Sequence, residues 1–280
     1  MRFVCYALDN TPKLAVSRND ELIDLGAGDL GEHLASDPQA LLDRARAASG
    51  APLKKEGLRI LPPILRPPKI ICVGLNYHDH AAESPYKKAP DYPAFFPRFT
   101  SSLIGDGEAI VRPKASEQLD YEGELVAVIG RGGRHIPRAQ ALDHVFGYSI
   151  FNDASLRDYQ FKSSQWTVGK NFDATGPFGP MVVTSDELPA GCEGLALETR
   201  LNGKVMQTGN ISDLIFPVDE LVHVASEVMT LEAGDIIVTG TPAGVGFART
   251  PPIYMRDRDV CEVEIERIGV LRNPIRNEVA

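Results

Sequence analysis

No apolar run in the chain approaches the roughly 18 residues that a membrane-spanning helix needs. The first ten residues, MRFVCYALDN, also lack the basic stretch and continuous apolar segment of a secretory signal. The expectation is a cytoplasmic protein with no membrane partner. Cysteine is scarce: Cys5, Cys72, Cys192 and Cys261 lie far apart and form no CxxC pair, which leaves zinc clamps and thioredoxin-type chemistry without support. Positive charge is in deficit, with 29 basic against 38 acidic residues and a formal charge of -9. No Lys/Arg block is interleaved with aromatics, so nucleic acid is not an expected partner. A GxSxG nucleophile elbow is missing too, which leaves a lipase-type serine hydrolase unsupported.

What is present suffices for one large core and a small satellite, since 43% of the 280 residues are hydrophobic. Residues 2 to 25 alternate short apolar runs with turn signals, which predicts a small antiparallel sheet, and a short helix is expected around Pro38 to Ala48. The stretch LPPILRPPK, residues 61 to 69, holds four prolines and reads as an extended linker. The boundary placed there gives a small N-terminal α+β domain, 1–65, and a main domain, 66–280. Beyond it KIICVGL, YEGELVAVIG, HVFGYSIFND, FGPMVVT, LALETRLNG, DIIVTGT and CEVEIERIG read as strands. One amphipathic helix is expected where Val218, Leu221, Val222, Ala225, Val228 and Met229 recur at helical spacing.

The most informative segment is LDYEGELVAVIG. Glu122 and Glu124 are two apart at the head of a strand, so their carboxylates project from one face. An isolated ExE is ordinarily a solvated edge. Asp153, at the end of SIFND, adds a third oxygen donor, and a shared cation relieves the repulsion. Carboxylates without His or Cys favour a hard ion, with magnesium the first choice and manganese or calcium the alternatives.

In GLNYHDHAAES, His80 and Glu83 are three apart and share a face if the stretch is helical. A carboxylate on one imidazole nitrogen fixes the tautomer and makes the other a competent base. His78 is an equal candidate by composition, and only the spacing to Glu83 separates them. NDASLRDYQ sets Arg157 and Gln160 just after Asp153, and VGKNFDATGPFGP places Lys170 in a glycine-flanked turn, suited to an anion or a developing oxyanion. VTGTPAGVG offers the Thr241 hydroxyl and backbone amides for a carboxylate, and lacks the GK[ST] ending of a phosphate loop. GAGDLG, residues 26 to 31, matches GxGxxG but has no following strand that ends in an acid, so it is not read as a dinucleotide site.

Together these segments resemble the fumarylacetoacetate hydrolase family from about Lys69 to Pro274; LNGKVMQTGNISDLIF and EVEIERIGVLRNPI complete the order. The resemblance implies a mainly β fold, a rolled mixed β-sandwich with few helices behind a small N-terminal domain, and a homodimer. It also implies Glu122, Glu124 and Asp153 as metal ligands, and His80 with Glu83 as the water-activating pair on a mobile lid. Lys170 (catalytic), Gln160 and Thr241 would contact substrate or oxyanion, and Arg157 is counted with the substrate-binding groups. MRDRDVCEVEI departs from the family's usual Pro-Gly-Asp turn, which should alter a turn and not the site. The expected activity is metal-dependent hydrolysis of a carbon-carbon bond in a small 2,4-dioxo acid of the acylpyruvate or fumarylpyruvate type, a step of aromatic-compound catabolism. Oxaloacetate decarboxylation and hydroxymuconate-type isomerisation could use the same enolate. A non-catalytic metal-binding protein that kept the fold is the rival from another class.

Overall fold

In the computed structural model, which describes residues 1–19, 21–54, 57–83 and 90–279, the run GELVAVI forms the strand Gly123–Ile129, and all seven residues are buried. The unbroken apolar run has a physical cause. Leu125, Ala127 and Ile129 pack with Leu197, Val263, Leu271 and Leu221 on one face, while Val126 and Val128 meet Phe178, Val182, Leu34 and Leu41 on the other. A strand covered on both faces has no solvent side on which to place polar residues.

This strand lies inside an 11-stranded sheet. Its main path runs from Glu21–Ala27 through Thr11–Arg18, Arg2–Leu8, Gly176–Thr184, Val145–Asn152, Gly123–Ile129, Ile236–Val238 and Ile70–Gly74 to Ala94–Pro97. Most neighbours are antiparallel, but Ile236–Val238 runs parallel to Ile70–Gly74, so the sheet is mixed. A second, 5-stranded sheet is ordered Lys204–Asn210, Ala196–Leu201, Val260–Ile265, Gly269–Asn277 and Ile110–Arg112. The two sheets enclose the larger core, which agrees with the expected mainly β sandwich. Gly123 sits where they come closest: a Cβ there would lie 2.2 Å from Thr199 Oγ1 and 2.9 Å from Val263 Cγ1. Only glycine lets the carboxylate-bearing end of the strand seat against the second sheet.

The helices are few and mostly short: α1 (Leu30–Ser36), α2 (Pro38–Ala47), α3 (His78–Glu83), α4 (Arg157–Gln160), α5 (Thr167–Lys170) and α6 (Val218–Val228). α2 falls where a short helix is expected, and α6 where the helical spacing predicts it. α1 was not expected, because it begins inside GAGDLG. The Asp29 carboxylate caps it by accepting from Glu32 N at 2.9 Å, and it also accepts from Leu65 N. An anionic cap already fills the helix terminus that a dinucleotide phosphate would use.

Several expectations need correction. The strand Lys204–Asn210 was missed although Asn202 and Gly203, with φ of 53° and 76°, make the tight turn that joins it to Ala196–Leu201. Lys170 is not in a loop: it is the last residue of α5. The glycine beside it, read as a turn signal, instead allows close packing. The Arg256–Asp259 segment is indeed a turn, with Arg258 at φ 73° and Arg256 N donating to Asp259 Oδ2 at 2.7 Å. No helix among the described residues is long and apolar enough to cross a membrane.

Candidate active site

Glu122 and Glu124 leave the head of the Gly123–Ile129 strand, and Asp153 follows the last residue of its antiparallel neighbour, Val145–Asn152. The register pairs Gly123 with Asn152, and Asp153 N donates to Glu122 O at 2.8 Å, so three carboxylates from distant positions converge by strand pairing alone. One ligand atom from each lies within 4.8 Å of the others, and all three residues are buried.

Burying three anions requires compensation. Lys170 Nζ bridges Glu122 Oε2 at 2.5 Å and Asp153 Oδ2 at 2.6 Å. Arg157 pairs with the other Glu122 oxygen at 2.6 Å and with Asp120 at 2.8 Å, and Arg98 pairs with Asp153. Glu124 has no ion pair among the described residues; it accepts one backbone N–H, from Gly240 at 2.6 Å. The four carboxylates of this group thus face three fixed cations.

The proton affinities follow. Burial pushes the Glu122 carboxyl up, but the Arg157 guanidinium and the Lys170 ammonium outweigh it and hold Glu122 below its ordinary value. Burial, reinforced by Asp153 and Glu122, pushes the Glu124 carboxyl well above the usual range. Burial would deprotonate Lys170, yet Asp153 and Glu122 overcome it and keep the ammonium charged. An uncompensated buried carboxylate beside two others, all oxygen donors, is the setting that a hard divalent cation fits. Glu122, Glu124 and Asp153 could hold such an ion.

The cleft over these groups brings all nine expected site residues together. His80, Glu83, Glu122, Glu124, Asp153, Arg157, Gln160, Lys170 and Thr241 all line it, whereas His78 does not. On α3, His80 Nδ1 lies 2.9 Å from Glu83 Oε1. An ionised carboxylate only accepts, so this contact assigns the hydrogen to Nδ1 and the lone pair to Nε2. Ser84, the end of the GLNYHDHAAES motif, lies outside the described residues. Gln160 Oε1 accepts from Arg157 Nη1 at 2.9 Å, while Arg157 Nη2, though buried, has no hydrogen-bond partner among the described residues. The Thr241 hydroxyl donates to Gly123 O at 2.9 Å and accepts from Gln207 Nε2 at 2.7 Å, which ties the cleft floor together.

Some groups carried no sequence signal that was used. Asp120 stands two before Glu122 in LDYEGE and could have been read as a third acid of that run; it receives Gly246 N and Phe247 N, each at 2.8 Å, besides Arg157. Arg98 follows a short edge strand without any motif. Phe96, Phe161, Trp166 and Phe247 form an apolar wall, with the Phe96 and Trp166 rings edge to face at 5.6 Å.

Residues 69–276 match the fumarylacetoacetate (FAA) hydrolase C-terminal family. The chain belongs to the fumarylacetoacetate hydrolase family. It is 45% identical to the oxaloacetate tautomerase YisK of Bacillus subtilis over 76% of this chain and 71% of that one. It is 35% identical to the mitochondrial oxaloacetate tautomerase fahd2 of Xenopus laevis over 98% and 90%. Among solved structures, the fumarylacetoacetate hydrolase from Exiguobacterium antarcticum superposes with a TM-score of 0.85 at 36% identity, covering 99% of this chain and 100% of the other. These members of the fumarylacetoacetate hydrolase family are named for two chemistries, tautomerisation and hydrolysis.

Proposed function

We propose that this chain is a magnesium-dependent enzyme that interconverts the keto and enol forms of a small 2-oxo acid of the oxaloacetate kind. The observation that carries the reading is the His80–Glu83 pair lining one cleft with three buried carboxylates and a charged lysine. Glu122, Glu124 and Asp153 would hold the ion, which supplies Lewis acidity to the 2-oxo group and its carboxylate. The remaining work belongs to side chains. Lys170 donates to the oxygen that gains charge as the enolate forms. The unpartnered Nη2 of Arg157 is available to a second substrate oxygen. His80, its Nδ1–H donated to Glu83, takes a proton from the carbon beside the keto group at Nε2, and the imidazolium then returns a proton to the enolate oxygen. The reverse order ketonises an enol, and atoms balance either way. The similarity to the oxaloacetate tautomerases of Bacillus subtilis and Xenopus laevis supports this assignment.

A second reading is hydrolysis of a 2,4-dioxo acid, favoured by the same His80–Glu83 pair and by the likeness to a fumarylacetoacetate hydrolase. There His80 would activate water for attack on the distal carbonyl, and the apolar wall would seat the acyl group. Substrate and product separate the two, since tautomerisation removes the ultraviolet enol band of oxaloacetate without cleavage, whereas hydrolysis removes the absorbance of an acylpyruvate and releases pyruvate. Catalysed loss of the enol band that EDTA abolishes is the expected result. Acylpyruvate cleavage without any tautomerisation would replace the first reading by the second, and neither activity with metal bound would refute both.

A further inference from the structure

Glu83 is held from two sides. Its carboxylate accepts from His80 Nδ1 and also from the backbone N–H of Gly244, at 3.1 Å to Oε1 and 3.0 Å to Oε2. Gly244 itself has little room to move: its φ is +101°, and a Cβ there would lie 2.4 Å from Met206 O. Its carbonyl accepts from the Tyr121 hydroxyl at 3.2 Å and from Arg249 Nε at 3.2 Å. Arg249 Nε also reaches the Tyr121 hydroxyl at 3.2 Å, and its Nη2 donates to Met206 O. Tyr121 is fully buried and directly precedes the first proposed metal ligand. A continuous path therefore runs from the carboxylate strand through Tyr121 and Arg249 to Gly244, then to Glu83 and His80.

We propose that Arg249 and Tyr121 are positioning residues for the His80–Glu83 pair, acting through the Gly244 peptide. The proposal rests on the reading of His80 as the acid–base group, and it adds how that group is held. A donor pair on the Gly244 carbonyl fixes the turn; the fixed turn aims one N–H at Glu83, and Glu83 so anchored can orient only one imidazole nitrogen. Without the brace, Glu83 can rotate with its flexible stem, and His80 is free to exchange tautomers and lose its aim. Errors of about 1 Å in placing a reacting group can cost a factor of roughly 100.

The test is Arg249→Met, which keeps the apolar stem and removes every donor, with Arg249→Lys as the rescue. Long-range proton–nitrogen NMR of His80 reads the tautomer without turnover. In the unaltered protein a single Nδ1–H form is expected; in Arg249→Met a mixture is expected, with kcat lower by about 10-fold to 100-fold and KM within about twofold. Arg249→Lys should recover much of kcat, while manganese binding stays unchanged throughout. Should Arg249→Met fail to fold, Tyr121→Phe removes one hydroxyl at constant ring volume and should shift the tautomer in the same direction. An unchanged His80 tautomer in whichever variant folds overturns the proposal. Inactivity of the unaltered protein would count against the proposed function instead, because the NMR result does not depend on turnover.

Discussion

Gly169 and Gln160 touch backbone to backbone: a Cβ on Gly169 would lie 2.5 Å from both the Cα and the N of Gln160. This contact packs α5 on α4 and so sets Lys170, the residue after Gly169, and Gln160 itself at a fixed separation in the cleft. Gly169→Ala should force the two helices apart. Overpacking of this kind costs about 1–3 kcal/mol, and the displaced Lys170 should lose its bridge. The expected outcome is a lower Tm together with a kcat loss larger than the stability change explains, read by calorimetry and steady-state assay. Full activity in Gly169→Ala would show that the spacing is not critical.

The carboxylate cluster predicts a separation of metal binding from folding. Glu124→Gln keeps an oxygen for Gly240 N but removes one of three neighbouring anions. Titration calorimetry with magnesium or manganese should show binding lost. The metal-free protein should melt no lower, and it could melt higher through relief of like-charge repulsion. Retained binding with unaltered affinity would exclude Glu124 as a ligand.

His80→Ala should lower proton transfer, or acylpyruvate cleavage, by about 100-fold to 10,000-fold, the range for losing a positioned base. Oxaloacetate decarboxylation needs no such base and should persist. Glu83→Gln should follow more mildly, because it orients the base without carrying the proton. Parallel loss of all activities in His80→Ala with metal still bound would reassign His80 to substrate binding.

Alkaline stability follows from the thiols. All four cysteines are free and buried. Burial, with Asp29 nearby, raises Cys5 from 9.0 to about 12, and burial likewise raises Cys261 to about 12. A group whose folded pKa is raised stabilises the fold fully below its unfolded pKa and loses that contribution as pH climbs toward the folded one. Tm should therefore fall progressively above about pH 8.5, and a thiol reagent should find no fast-reacting cysteine before unfolding. Rapid labelling of a native thiol at pH 8 would contradict the burial.

Association is the remaining expectation. Phe99 and Tyr92 stay more than half exposed beside the edge strand Ala94–Pro97, where a second copy of the chain would cover them. Twice the 30.5 kDa chain mass gives 61 kDa, the value light scattering should report for a homodimer. A single 30.5 kDa species at micromolar concentration would refute it.

Much of the site was legible because its residues obey local rules. Glu122 and Glu124 are neighbours on one strand face, and His80 and Glu83 are neighbours on one helix face; two-residue and three-residue spacings reveal both. Asp153 was legible only as a carboxylate at a strand end, and its partner strand came from the fold. Arg98, Asp120, Arg249 and Tyr121 were not found. Their roles depend on contacts across 55 positions for Arg98 with Asp153, and 128 for Arg249 with Tyr121, and no short pattern encodes such pairs. The missed Lys204–Asn210 strand differs, since its Asn-Gly turn was a plain hairpin signal.

The Arg2–Leu8 strand zips onto the Gly176–Thr184 strand, with Arg2 opposite Val183 and Phe3 opposite Val182. The first hairpin therefore acts as a cover for a row of backbone donors and acceptors that the central sheet would otherwise leave open. Such an uncovered row is a template for adding strands from other molecules. A chain shortened by its first 27 residues would keep every group of the cleft, yet its hazard would be self-assembly: the N-terminal strands guard the solubility of the sheet whose middle carries the chemistry.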